Sequence, residues 1–150
     1  MAKLGDLKLT NDIAQKVNAI HRLTKNIVPA DLPLVPADGV FIGDLPANTM
    51  VLSVNSWCSF AFNGTVPGAN LFSMGYFGSA IDVFGLLDAN TNNVRTRNDA
   101  NFQFAATGGN NLGAIFGATH PILAFWRGTG VPTVGAIRIV FEYAFITTVL

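Results

Sequence analysis

The densest set of oxygen donors in the chain is Asp88-Ala89-Asn90-Thr91-Asn92, with Asp99 at the twelfth position counted from Asp88. Alternating oxygens closed by an acid at that position are the spacing with which a calcium loop surrounds its ion. Three features oppose a metal there. Asn93 stands where such a loop turns on glycine, the closing acid is Asp in place of the longer Glu, and Arg95 and Arg97 bring positive charge into the same stretch. No pair of long flanking helices is legible either. The expectation is a polar surface loop, Asp88 to Asp99, held by Asx turns and binding no metal.

The other reactive side chains are scattered. His21 and His120 stand apart and lack a Cys, Ser or Asp motif around them, so each reads as structural or solvent-facing. Cys58 is the single cysteine, which excludes an intrachain disulfide and leaves no zinc ligand set. It follows Trp57 in an apolar run and reads as a small buried hydrophobe. Gly108-Gly109-Asn110-Asn111 lacks the Lys that closes a phosphate loop and reads as a hairpin turn. Asn63-Gly64-Thr65 fits the N-glycosylation pattern, but no secretory signal accompanies it. Trp57 and Trp126-Arg127 are candidates for a sugar platform, against which Trp126 sits in the apolar run Ile122 to Phe125 and reads as core. With no acid pair and no triad, the residues predict neither an enzyme nor a cofactor.

The elements that must carry these residues are short strands. From Ile137 the last segment alternates, with Ile137, Ile139, Phe141, Tyr143 and Phe145 on one side and Arg138, Val140, Glu142 and Ala144 on the other. A period of two is that of a half-buried strand, here with an aromatic and β-branched inner face suited to the core or to an oligomer contact. Further strands are predicted at Gly39 to Gly43, Thr49 to Trp57, Asn70 to Phe77, Asn101 to Ala106, Leu112 to Ala118 and Pro121 to Arg127. In Thr49 to Trp57, Met50, Leu52 and Val54 alternate with Val51, Ser53 and Asn55, which predicts one apolar face. Asn63-Gly64 reads as a tight turn and Asp82 to Leu87 as a single helical turn. Short strands between Gly, Pro and Asn turns, with 12 Phe residues to fill the gap between two sheets, predict an all-β fold. The architecture expected is a jelly-roll-type β-sandwich with an N-terminal arm.

Residues 1–37 differ from the rest. Ile13, Val17, Ile20 and Leu23 have helical spacing after Thr10-Asn11-Asp12, so Asp12 to about Lys25 reads as an amphipathic helix or as an extended arm laid on a neighbour. Pro29, Pro33 and Pro36 then read as a linker. The division expected is an arm and linker over 1–37 and a sandwich over 38–150.

Composition bears on partners. The 150 residues are 50% hydrophobic and only 12% charged, with a mean hydropathy of +0.41. Ordinary soluble chains carry about 25% charged residues, so this surface is short of the groups that face water. No apolar run approaches the ~18 residues of a spanning helix, which favours burial against protein over burial in a membrane. Net charge is zero, but Lys3, Lys8, Lys16, Arg22 and Lys25 face only Asp6 and Asp12 at the start of the chain. That segment reads as a basic arm suited to an acidic surface. The body shows no basic run interleaved with aromatics of the kind that grips nucleic acid, and none is expected as a partner.

Several stretches together resemble the head decoration, or cement, proteins of tailed bacteriophages. They are Gly43-Asp44-Leu45-Pro46-Ala47-Asn48-Thr49-Met50-Val51, Phe60 to Thr65, Leu71 to Phe84, and the closing Ala136 to Tyr143 strand. The resemblance covers about 38–146 and leaves the first 37 residues unmatched. It implies a jelly-roll body on the outer surface of the major capsid lattice, acting as a homotrimer that strengthens the shell. The partners implied are the major capsid protein and further copies of the chain, with the five basic arm residues as the capsid contact. The location implied is the virion surface, after synthesis in the host cytoplasm. A carbohydrate- or host-binding module on the virion, as in a head-fibre or minor tail protein, is the competing expectation.

Overall fold

The computed structural model describes residues 20–76, 84–99 and 115–145. Within them lie nine strands: β1 (Ile20–Ile27), β2 (Val40–Leu45), β3 (Thr49–Phe60), β4 (Leu71–Tyr76), β5 (Leu86–Asp88), β6 (Val94–Asp99), β7 (Ile115–Phe116), β8 (His120–Trp126) and β9 (Ala136–Phe145). One sheet runs β1-β9-β3-β6, with β7 also on β3, and the other runs β2-β8-β4-β5. Every pairing is antiparallel. The chain passes repeatedly from one sheet to the other, and its last strand lies between the first and the third. That winding is a jelly roll, as the turn spacing and the phenylalanines predict.

The inner face of β9 is the one read from the sequence. Ile137, Ile139, Phe141 and Tyr143 are buried, while Arg138 is exposed. Opposite them lie Phe72, Met74, Ile122 and Leu87 of the second sheet. Phe84 meets Phe141 edge-on at 5.1 Å, and Phe62, Phe72 and Trp126 pack mutually at 5.2–5.5 Å. Each side chain of this size contributes roughly 1.5–3 kcal/mol by leaving water, which is what holds two otherwise marginal sheets together. Gly128 keeps the aromatic cluster closed, because a Cβ there would overlap the Trp126 ring.

Three sequence expectations change and one narrows. First, β3 does not alternate strictly. Its register against β9 shifts between Val51 and Ser53, so Val51 and Val54 are both buried while Met50 and Leu52 are only half-buried. A β-bulge adds one residue and flips the faces beyond it. Second, of the two readings of Asp12 to Lys25, helix or extended arm, the described part Ile20–Ile27 is extended, and it pairs within the sandwich. β9 would otherwise leave a row of backbone donors and acceptors unpaired along that edge, and pairing outweighs local helical spacing. The described part of the expected arm therefore belongs to the sandwich from Ile20 onward.

Third, Leu86–Asp88 is strand rather than helical turn, and fourth, half of the expected polar loop is strand β6. The two are joined through Asn93, whose φ of 58° suits the left-handed turn that Asn tolerates. The proline segment does connect the sheets, through short 3-10 turns at Pro29–Asp31 and Pro36–Asp38. Gly39 then brings the backbone against the Phe125 ring on the outside of the second sheet. The strand expected at Asn101 to Ala106 lies outside the described residues.

Candidate interaction surface

The outer face of the β1-β9-β3-β6 sheet collects side chains that the sequence keeps apart. In one cross-strand row, Asn26, Arg138, Trp57 and Arg95 are successive register partners. The next row is Thr24, Val140, Asn55 and Arg97, and a third sets Arg22 beside Glu142 and Ser53. Residues directly opposite on one face stand about 4.5–5.5 Å apart at Cβ, so Trp57 is flanked by an arginine on each side. The sequence shows no basic and aromatic run in the body; three strands distant in sequence assemble one.

Glu142 is the one carboxylate among the described side chains of this face. Its oxygens accept from Arg22 at 3.5 Å and from Asn55 Nδ2 at 3.0 Å. Asn55 Nδ2 also reaches Ser53 Oγ at 3.0 Å, so this corner is internally satisfied. Arg95 and Arg138 stand on either side of Trp57 in the first row, and Arg97 and Asp99 follow along β6. Trp57 is 45% exposed and forms the wall of a shallow groove of about 210 Å³ together with Asn26, Val28, Ser59 and Arg138. Trp and Arg are among the residue types enriched at protein contacts.

Of the residues expected to form a capsid contact, Arg22 and Lys25 are described, and Lys3, Lys8 and Lys16 lie outside the described residues. Arg22 projects from the outer face, whereas Lys25 is half-buried on the opposite side of β1. The expected core strand residues Ile137, Ile139, Phe141, Tyr143 and Phe145 line the inner face. His21 stacks on Tyr143 at 5.4 Å and meets Phe145 edge-on at 5.1 Å, while His120 lies 4.7 Å from Tyr76. Trp126 is core, with its indole N–H donating to the Gly130 carbonyl at 3.2 Å.

The calcium-like stretch spends its oxygens on the protein itself. Asp88 Oδ1 accepts from Asn90 N at 2.6 Å, Asn90 Oδ1 from Asn70 N at 2.7 Å, and Asn92 Oδ1 from Ala61 N at 2.7 Å. These are Asx-type staples between loops rather than ligands converging on one point. Among the described residues no cluster of His, Cys, Asp or Glu could hold a metal ion. A larger open cavity of about 620 Å³, between Phe60, Pro29 and Val134, is lined by no acid or base. Cys58 is buried, and burial first and the Asp88 carboxylate second push its thiol up to about 11.

No protein-family model and no curated protein matches the sequence. Solved structures do match. A chain of the capsid asymmetric unit of cyanophage Pam1 aligns at 16% identity and a TM-score of 0.53, over 85% of each chain. A chain of the acid-stable capsid of Helicobacter pylori bacteriophage KHP30 aligns at 9% identity and 0.54, over 87% of this chain and 90% of that one. A chain of the Ralstonia phage GP4 capsid aligns at 16% identity and 0.51, over 88% of each. What these chains share is the fold.

Proposed function

We propose that the chain is a structural protein of a tailed-phage virion, seated on the outer surface of the major capsid lattice, where it strengthens the head. The observation that carries this is a jelly roll matched along most of its length by chains from three phage capsids. The surface supports it. A chain with 12% charged residues that exposes Leu34, Phe41, Phe60 and Val131 has apolar area to bury against protein. Lys3, Lys8, Lys16, Arg22 and Lys25 would supply the electrostatic part of the attachment. Assembly as a trimer would let several weak contacts act together by avidity.

The test is reconstitution on shells that lack the protein. Cosedimentation of the purified chain with such shells, and a higher temperature of genome release once it is bound, are the expected results. Failure to bind shells under low and moderate salt would overturn the reading. The half-exposed Trp57 beside Asn26 and Ser59 favours, as a second reading, a glycan-binding module. That reading requires saturable glycan binding lost in Trp57→Ala and independent of shells.

A further inference from the structure

The nine acids and nine bases of the chain cancel in number but not in place. From residue 26 to residue 94 the sequence contains no Lys or Arg. Asp31, Asp38 and Asp44 are exposed in this stretch, along the β1–β2 connection and β2. Between them stand Leu34, which is wholly exposed, and Val35 and Phe41, which are about half exposed. This makes an acidic, apolar projection along the β2 edge of the sandwich, bounded on one side by Arg127, which shares a hollow with Pro36 and Ala37. The outer face of the other sheet is its complement, with Arg95 and Arg138 on either side of the half-exposed Trp57.

We infer that these two surfaces bind each other between copies of the chain. The Arg–Trp face of one copy receives the Leu34–Asp44 projection of the next. Opposite potentials steer and register the contact, and the exposed leucine and indole supply the apolar area that leaves water. The two surfaces are different parts of the molecule, so the contact is heterologous. Each copy that accepts a projection still offers its own, and the contact repeats around a ring or along an array. The occupant argued for is a second copy because one chain carries both halves of the charge complement. This goes beyond attachment to a shell and is read in solution without one.

The experiment uses four proteins: the native chain, a face-reversed chain (Arg95→Glu with Arg138→Glu), a projection-reversed chain (Asp38→Lys with Asp44→Lys) and Trp57→Ala. All these positions are exposed, and circular dichroism verifies that each variant folds. Sedimentation velocity of the native chain is expected to show self-association that weakens about tenfold or more as salt shortens the screening length from ~10 Å at 0.1 M toward ~3 Å at 1 M. Each charge-reversed variant alone is expected to be monomeric, and a mixture of the two to associate in alternation, through the reversed pair at one contact and the native pair at the next. Trp57→Ala, with all charges kept, is expected to weaken self-association about tenfold, as loss of a central aromatic anchor does.

A native monomer, or a mixture of variants that fails to pair, overturns the inference. So does a face-reversed chain that still self-associates but no longer binds shells, which reassigns the face to the capsid. Binding of a DNA duplex by the native chain without self-association reassigns it to phosphate and equally overturns it. Shell binding by a chain that is monomeric in solution sinks the self-contact while leaving the proposed function standing; self-association without shell binding does the reverse.

Discussion

Asn63 and Thr133 hold each other by two reciprocal hydrogen bonds. Thr133 N donates to Asn63 Oδ1 at 2.7 Å, and Asn63 Nδ2 donates to Thr133 Oγ1 at 2.9 Å. Val134 N adds a third, to Asn63 Oδ1 at 3.1 Å. One side chain thus ties the β3–β4 crossover to the β8–β9 loop, and with it the end of the sandwich where Phe62, Phe72 and Trp126 pack. Asn63-Gly64 is therefore part of a connection between sheets rather than a two-residue hairpin.

Asn63→Ala removes all three bonds and leaves two backbone donors to find water. The expected loss is about 1–3 kcal/mol, because the site is partly open to solvent and water replaces some of the bonding. Asn63→Asp keeps the acceptor and is expected to lose less. Thermal or urea unfolding of the two variants beside the native chain decides the order; equal losses would mean that the backbone contacts do not matter.

Phe141→Ala opens a cavity between the sheets where Phe84 meets it edge-on. A buried Phe reduced to Ala costs about 3–5 kcal/mol, a large part of the stability of a domain of this size. Phe145→Ala, at the partly buried end of the same strand, is expected to cost clearly less. The urea midpoints of the two variants measure the difference.

The Cys58 thiol is raised from 9.0 to about 11 in the folded chain, by burial first. A folded value above the unfolded one means that the unfolded chain loses its proton first as pH rises. The contribution to stability is then fully present below about pH 9 and is lost as pH climbs toward 11. Cys58→Ala is expected to flatten that part of the stability profile. At pH 8 the native thiol is expected to react with a disulfide reagent only at the rate of unfolding.

Arg22→Ala removes one exposed partner of Glu142 and is expected to cost about 0.2–1 kcal/mol, less in high salt. Glu142→Ala also removes one of the two acceptors of Asn55 Nδ2, leaving it Ser53 Oγ, and is expected to cost more. A double-mutant cycle over Arg22 and Glu142 isolates the pair; a coupling energy indistinguishable from zero would leave Glu142 acting through Asn55 alone.

The periodicity of residues 137–145, the density of turn residues and the twelve phenylalanines were enough to specify strands and a two-sheet core, because inward residues on a strand must recur every second position. The scarcity of charge predicts a surface with protein neighbours. Burial of Trp126 followed from its apolar run. The bulge in β3, the strand at Ile20–Ile27 and the strand β6 inside an apparent polar loop did not follow, since each depends on what backbone edge lies alongside. The same holds for the Arg–Trp face. Trp57, Arg95 and Arg138 are far apart along the chain, and only the winding of the sandwich, which sets β3 between β6 and β9, makes them neighbours. Pattern along a sequence records which way each side chain points; which strand stands next to which is decided by backbone pairing over long separations, and that is where the surface of this protein was made.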